Sequence, residues 1–229
     1  MTTTTSLGYD DLGHLMSLMT GDEKHSEAAT STLDVLWVLY DRVLDVDPLR
    51  PHDPDRDHFL LSKGHGPMAF YAVLAAKGFF PIDWLSSWGS FDSRLGLHPD
   101  RTLVPGVEIS SGSLGHGLPM AVGLALGLEA RGRRGRVFCL VGDGELDEGS
   151  NHEAIALAGR LRVDRLTVVV VDNASSSHGW PGGIASRFGV EGWATTTVDG
   201  RDHLALESAL AADLGSPSAV IATVTRKGG

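Results

Sequence analysis

Two apolar runs separated by a helical segment constrain the fold of this chain more than any other feature. The runs, RVFCLVGD (136–143) and LTVVVVDN (166–173), carry almost no charge until their last positions. Near-continuous apolar strands are typical of parallel sheets that helices cover on both faces. Between them, 150–162 is predicted to be a helix that begins with a capping box, with Ser150 at the cap and Glu153 three residues later.

The remaining segments continue this alternation of strands and helices. Further helices are predicted over 31–44, from about Pro67 to Lys77, within 110–132 after a glycine turn, and over 203–214. Further strands are predicted near 58–61, after Trp193 and over 218–226. The proline-rich stretch 47–57 is predicted to be a surface loop. We therefore expect an α/β fold with a doubly wound, mostly parallel sheet, in a single domain spanning 1–229.

Composition excludes several classes of function. The 229 residues carry a formal net charge of −10, which argues against nucleic acid or an anionic membrane as the main partner. No run of 18 apolar residues and no signal-peptide pattern is present, so we expect no membrane span. The single cysteine, Cys139, lies in an apolar run and is expected to be a core residue of a protein in a reducing, cytoplasmic compartment.

Oxygen-bearing side chains stand at the ends of the two apolar strands. Asp143 follows the first strand between Gly142 and Gly144, and Asn173 follows the second. Ligands of open parallel sheets bind beyond the carboxyl ends of the strands, and glycines let backbone approach a ligand closely. A carboxylate, an amide oxygen and a backbone carbonyl such as that of Ser175 suit Mg²⁺, with Ca²⁺ or Mn²⁺ as substitutes. This set predicts a diphosphate site bridged by a divalent cation.

A structural interpretation competes with this one. A lone Gly-Asp-Gly is usually a turn, and Asn173 could simply cap a turn or helix. The flanking strands and the second oxygen donor favour the binding site.

Five stretches, in order along the chain, resemble the transketolase family. They are DHFLLSKGHG (57–66), GLHPD (96–100), SSGSLGHG (110–117), GDGELDEGSNHEAIALAGRL followed by VDNASSSHG (142–179), and VDGRD with TRKGG near the end. The resemblance extends from about residue 12 to 229 and implies thiamine diphosphate with Mg²⁺ as cofactors. It implies cofactor contacts from His65, Gly112, Ser113, Leu114, Gly142, Asp143, Gly144, Glu145, Asn173 and Ser175, metal ligation by Asp143, Asn173 and Ser175, and catalytic roles for His65 and His98.

The resemblance also implies a partner. Transketolases carry a pyrimidine-binding domain, whose glutamate promotes deprotonation of the cofactor, and a C-terminal domain; neither matches any part of this sequence. We therefore expect the N-terminal half of a split transketolase, forming an α2β2 assembly with a C-terminal subunit and acting on a sugar or sugar phosphate. Glu148 resembles a glutamate that meets its counterpart across an interface between subunits. A truncated longer protein would look the same.

Two departures leave the substrate open. Asp22 stands where the family usually has a substrate-contacting histidine, and Ser177 replaces an isoleucine expected near the thiazolium ring. Two alternatives therefore remain at this stage. One is a thiamine diphosphate enzyme with a 2-oxo acid donor, a decarboxylating synthase or a dehydrogenase component; the other is a non-catalytic assembly subunit.

Overall fold

Among the residues that the structure describes, five parallel strands form one sheet in the order β1-β2-β3-β5-β4. The computed structural model describes residues 7–20, 30–176 and 178–224. The strands are β1 (His58–Leu61), β2 (Val137–Gly142), β3 (Leu166–Asp172), β4 (Ala194–Asp199) and β5 (Ser218–Thr223). The predicted doubly wound fold is confirmed, and every pairing within the described residues is parallel.

Helices connect these strands and cover both faces of the sheet. They are α1 (Leu12–Ser17), α2 (Leu33–Val38, continued by a π-helical turn over Leu39–Val43), α3 (Met68–Ala76), α4 (Gly117–Ala130), α5 (Gly149–Leu161), α6 (Gly183–Gly189) and α7 (His203–Ala211). Trp84 lies in a short 3₁₀ helix, Ile82–Ser87, and Trp88 follows it. Within the described ranges, no helix combines the length and apolar character needed to cross a membrane.

Alternate side chains of each central strand enter two separate cores. Phe138 and Leu140 of β2 pack in the core that α1, α2, α3 and α7 cover. Cys139 and Val141 point the other way, into the core formed with α4, α5 and α6. Both faces are buried because the strand has period two and its residues are apolar on each side. Cys139 is a core residue, as predicted, with no exposed surface.

The predicted capping box at the start of α5 is wrong. The helix begins at Gly149 with Glu148 at the cap position, and no side chain accepts a capping hydrogen bond there. Ser150 lies inside the first turn, and its hydroxyl donates instead to the carbonyl of Gly115, at 2.7 Å. A tertiary contact with the neighbouring loop has replaced the local bond that the spacing of Ser150 and Glu153 predicted.

The strand order places three chain segments side by side at one edge of the sheet. β2 lies between β1 and β3, so the residues following all three strands emerge at their carboxyl ends together. The segments are 62–66, 143–148 and 173–176, and all three contain residues of the predicted site. The fold therefore juxtaposes motifs that are far apart in sequence.

Truncating Phe70 tests the first core. Its ring is 1% exposed and packs against Tyr40 and Phe59. Phe70→Ala should lower the free energy of unfolding by about 3–5 kcal/mol, because it leaves a cavity. The matched control is Phe91→Ala, whose side chain is 102% exposed and should change stability by less than about 0.5 kcal/mol. Urea titration of both variants measures the difference, and equal losses would contradict this assignment of the core.

Candidate cofactor-binding site

Asp143 connects the end of β2 to the loop that follows β3. Its Oδ2 accepts hydrogen bonds from the backbone N–H groups of Ser175 and Ser176, at 2.7 and 2.8 Å. Its Oδ1 accepts from the Ser175 hydroxyl, at 2.6 Å. The side chain is 3% exposed. A carboxylate has about four acceptor positions, so these three bonds leave capacity for one more ligand.

Asn173 brings an unpaired oxygen to the same place. Its Oδ1 is buried and has no hydrogen-bond partner among the described residues. The next residue, Ala174, has a φ of 55°, a left-handed conformation that costs a non-glycine residue about 1–2 kcal/mol. This turn lets the Ser175 and Ser176 amides reach Asp143 immediately after Asn173. Buried acceptors without a partner are rare, so Asn173 Oδ1 is a candidate ligand atom for a bound group.

The donor set fits a hard divalent cation. The described residues contain no cluster of three or more His, Cys, Asp or Glu side chains able to hold a metal. A cation here would depend on mixed oxygen donors, namely the Asp143 carboxylate, the Asn173 amide oxygen and a backbone carbonyl. Mg²⁺ and Ca²⁺ accept such mixed oxygen donors, whereas Zn²⁺ prefers nitrogen and sulfur.

Gly142 and Gly144 flank Asp143, and a Cβ added at either position would lie within 4 Å of other residues of the site. A Cβ on Gly144 would lie 3.9 Å from the Ser175 carbonyl oxygen and 3.8 Å from its hydroxyl. A Cβ on Gly142 would meet the Lys63 side chain at 3.3 Å. The contact at Gly142 is tight, whereas a side chain at Gly144 would make only ordinary van der Waals contacts with the loop after β3.

Glu145 is directed inward and connects three segments. Its carboxylate accepts hydrogen bonds from the Ser62 hydroxyl at 2.5 Å, the Gly115 amide at 2.9 Å and the Gly142 amide at 3.3 Å. Burial raises the pKa of this carboxyl, although these hydrogen bonds and the charge of Lys63 oppose the rise. These contacts give Glu145 a supporting function, and its direct contact with cofactor stays a prediction.

Lys63 is a site residue that sequence reasoning missed. Its side chain lies over Gly142, and its ammonium group is 3.5 Å from the His65 carbonyl oxygen. Burial lowers the pKa of the ammonium group to about 8, against the opposing influence of Glu145 and Asp143. The signal in the sequence was a basic residue immediately before Gly-His-Gly, at the end of a strand.

The two histidines predicted to be catalytic meet in space. The rings of His65 and His98 lie edge to face with centroids 5.2 Å apart. Gly112 lies against His98, because a Cβ there would approach that ring within 3.1 Å, and its φ of 128° suits glycine alone. Ser113 and Leu114 follow in the same loop. The Ser111 hydroxyl beside them is buried and has no partner among the described residues.

A buried arginine, Arg187, contacts the segment after β2 and is linked through it to the loop after β3. Arg187 of α6 is 5% exposed and donates to the carbonyl of Leu146 and to His152. Its guanidinium group lies 3.5 Å from the Asp147 carboxylate, whose other oxygen accepts from the Ser176 hydroxyl at 3.2 Å. Arg187 is thus linked through Asp147 to the loop that holds Asp143.

Trp180 belongs to this cluster. The Arg187 guanidinium lies 4.9 Å from the Trp180 ring centre, and the His152 ring lies 5.6 Å from the same ring. These contacts support Trp180 as a loop anchor. Asp22 and Ser177, the two departures from the family pattern, lie outside the described residues.

Comparison with known proteins identifies the family. Residues 16–225 match the model of the transketolase thiamine diphosphate binding domain. The chain belongs to the transketolase family. Its five-stranded fold is also that of solved transketolases: the enzyme from Leishmania mexicana aligns with a TM-score of 0.80 at 26% identity, over 96% of this chain.

Relatives of similar size include a protein that is named as a transketolase subunit. The 6-deoxy-6-sulfo-D-fructose transketolase subunit SqwG of a Clostridium species is 35% identical over 89% of this chain and 78% of its own length. By contrast, this transketolase family chain spans 37% of the L. mexicana enzyme.

A protein with a different name is more similar. Ferredoxin fas2 of Rhodococcoides fascians is 58% identical over 97% of this chain and 74% of its own length. Plant- and bacterial-type ferredoxin clusters are held by four cysteine thiolates. These 229 residues contain one cysteine, so they cannot supply such a ligand set themselves. The shared region is the transketolase-type domain.

Arg187 should be important for stability. Arg187→Met removes a buried cation from Asp147 and leaves the Leu146 carbonyl without its donor, so the free energy of unfolding should fall by about 3 kcal/mol. The control is Arg160→Met, whose side chain is 77% exposed and 3.8 Å from Glu191. Urea unfolding measures both variants. Equal stability of the two would show that the Arg187 cluster contributes nothing.

Proposed function

We propose that this chain binds thiamine diphosphate with Mg²⁺ and transfers a two-carbon ketol unit from a ketose to an aldehyde, acting with a second subunit. The observation that carries the proposal is the buried Oδ1 of Asn173, which has no hydrogen-bond partner among the described residues. Asn173 and Asp143 follow the carboxyl ends of two adjacent parallel strands. Asp143, Asn173 and the Ser175 carbonyl would hold the metal. Gly144 and His65 would contact the diphosphate, and the loop of Gly112, Ser113 and Leu114 would lie along the pyrimidine ring.

The proposed functions of His65 and His98 concern the substrate and the cofactor. When bound, thiamine diphosphate supplies a nucleophilic carbon that accepts the two-carbon unit. His65 and His98 present two imidazoles within ring contact, next to the glycine backbone at Gly112. A neutral imidazole can accept a proton from a sugar hydroxyl and return it near neutral pH. We propose that His98 orients donor and acceptor oxygens while His65 contacts both cofactor and substrate.

A partner chain would supply the pyrimidine-binding domain. Two relatives, SqwG and a protein of Actinobacillus succinogenes, are named as single subunits of transketolases, the second of an apulose-4-phosphate transketolase. Met120 of α4 and Leu157 and Leu161 of α5 are each about half accessible, and Glu148, at the cap of α5, is exposed. We propose an α2β2 assembly in the cytoplasm that covers exposed apolar side chains of these helices and acts on a sugar or sugar phosphate.

Cofactor binding should depend on the two oxygen donors. Calorimetric titration of thiamine diphosphate with Mg²⁺ should give saturable, metal-dependent binding, either to the chain alone or to the chain with a candidate partner from the neighbouring open reading frame. Asp143→Ala and Asn173→Ala should each weaken binding at least about tenfold, because each removes a metal ligand. Omitting Mg²⁺ should have a similar effect.

The control for this titration is Asp213→Ala, which removes an exposed carboxylate from the loop after α7. It should leave the affinity unchanged. Binding that is absent with and without a partner would overturn the proposal and favour a non-catalytic subunit.

An activity assay should distinguish ketol transfer from the reaction of an enzyme that uses a 2-oxo acid donor. With the partner present, ketose consumption should proceed without release of carbon dioxide, and His98→Ala should lower kcat by about 10²–10⁴-fold. Ketose consumption is measured by spectrophotometry in an assay coupled to the aldehyde product. Carbon dioxide release is measured separately, with pyruvate as donor. Carbon dioxide release from pyruvate, without ketose consumption, would instead identify a 2-oxo acid enzyme.

A further inference from the structure

We propose that Lys63 binds the diphosphate group of the cofactor. The inference rests on the proposed function and assigns a ligand to a residue that has no function in that proposal. It stands on the position of Lys63 between the segments that follow β1 and β2.

The location of Lys63 is central to the site. Its stem passes over the backbone of Gly142, with Cδ, Cε and Cγ all within 3.6 Å of an ideal Cβ at that position. The ammonium group lies 3.5 Å from the His65 carbonyl oxygen. A Cβ at 142 would meet the Lys63 Cδ at 3.3 Å, so the glycine leaves room for the long side chain across the strand end. Lys63 therefore lies between the end of β2 and the backbone of His65, next to the place where the diphosphate is expected.

The negative charges of the site favour a cation at this point. Two buried carboxylates, Asp143 and Glu145, stand at the end of β2, each 3% exposed. A diphosphate would add further negative charge, which one divalent metal ion only partly offsets. Lysine provides a compact positive charge with three donors, a common partner for phosphate oxygens. Lys63 is also electrostatically coupled to both carboxylates.

A purely structural function for Lys63, as counterion of Glu145, makes a different prediction. Glu145 already accepts hydrogen bonds from Ser62, Gly115 and Gly142. If Lys63 only neutralised this carboxylate, removing both charges together would restore the site. If Lys63 contacts the diphosphate, the loss would persist without Glu145.

The experiment compares affinities of the wild type and four variants, on the chain or on the chain with its partner, whichever binds. Magnesium pyrophosphate and magnesium thiamine diphosphate are titrated by calorimetry. Lys63→Met should weaken both ligands about 10- to 100-fold, the effect of losing one charge-assisted hydrogen bond. Lys63→Arg should recover part of the loss. The double variant Lys63→Met/Glu145→Gln should bind about 10- to 100-fold more weakly than Glu145→Gln alone.

The control is Lys77→Met, which removes a lysine that pairs with Asp41 on a different face. It should bind both ligands like the wild type. Far-UV circular dichroism and the melting temperature establish that each variant is folded.

The outcomes are distinct. Wild-type affinity in Lys63→Met, or recovery of affinity in the double variant, would overturn the assignment while leaving the proposed function intact. Absence of thiamine diphosphate binding by the wild type, with and without the partner, would instead overturn the proposed function and this inference with it.

Discussion

The hydrogen bonds between the Asp143 carboxylate and the loop after β3 are the interaction on which the site depends. Two backbone amides and one hydroxyl from Ser175 and Ser176 converge on a single buried side chain. They hold the ends of β2 and β3 at a fixed separation and impose the left-handed turn at Ala174. The buried Asn173 Oδ1 next to this turn has no partner among the described residues, so the oxygen atoms that we propose as metal ligands are held in place by contacts within the protein.

Around this contact, buried polar groups connect elements that are far apart in the sequence. Glu145 joins the ends of β1 and β2 to the loop before α4, while Arg187 and Asp147 support the loop after β3 from the opposite side. Burying such charges is costly unless they are paired, and each of them has partners. Both apolar cores are complete without these groups, so the polar network positions the site and the apolar layers stabilise the sheet.

Much of the fold and part of the site were predictable from residue order. Buried parallel strands follow from apolar runs such as VVVVD, and the placement of Asp143 and Asn173 follows from their positions at strand ends. Ser150 shows where local rules fail: its spacing from Glu153 matches a capping box, yet its hydroxyl bonds Gly115 in another segment. The parts played by Lys63 and Arg187 were equally unpredictable, because they depend on which segments lie beside them.

By itself, the sequence determined the class of fold, the family and the positions of Asp143 and Asn173 at strand ends, since these depend on periodicity and on short motifs of neighbouring residues. Only the tertiary structure decided which side chains share the site. The order β1-β2-β3 brings Lys63 across Gly142 and sets His65 against His98, although the latter two are separated by a helix and a long connection. The physical reason is that strand order and helix packing fix the distances between residues remote in sequence, and these long-range contacts leave no local pattern from which they could be read.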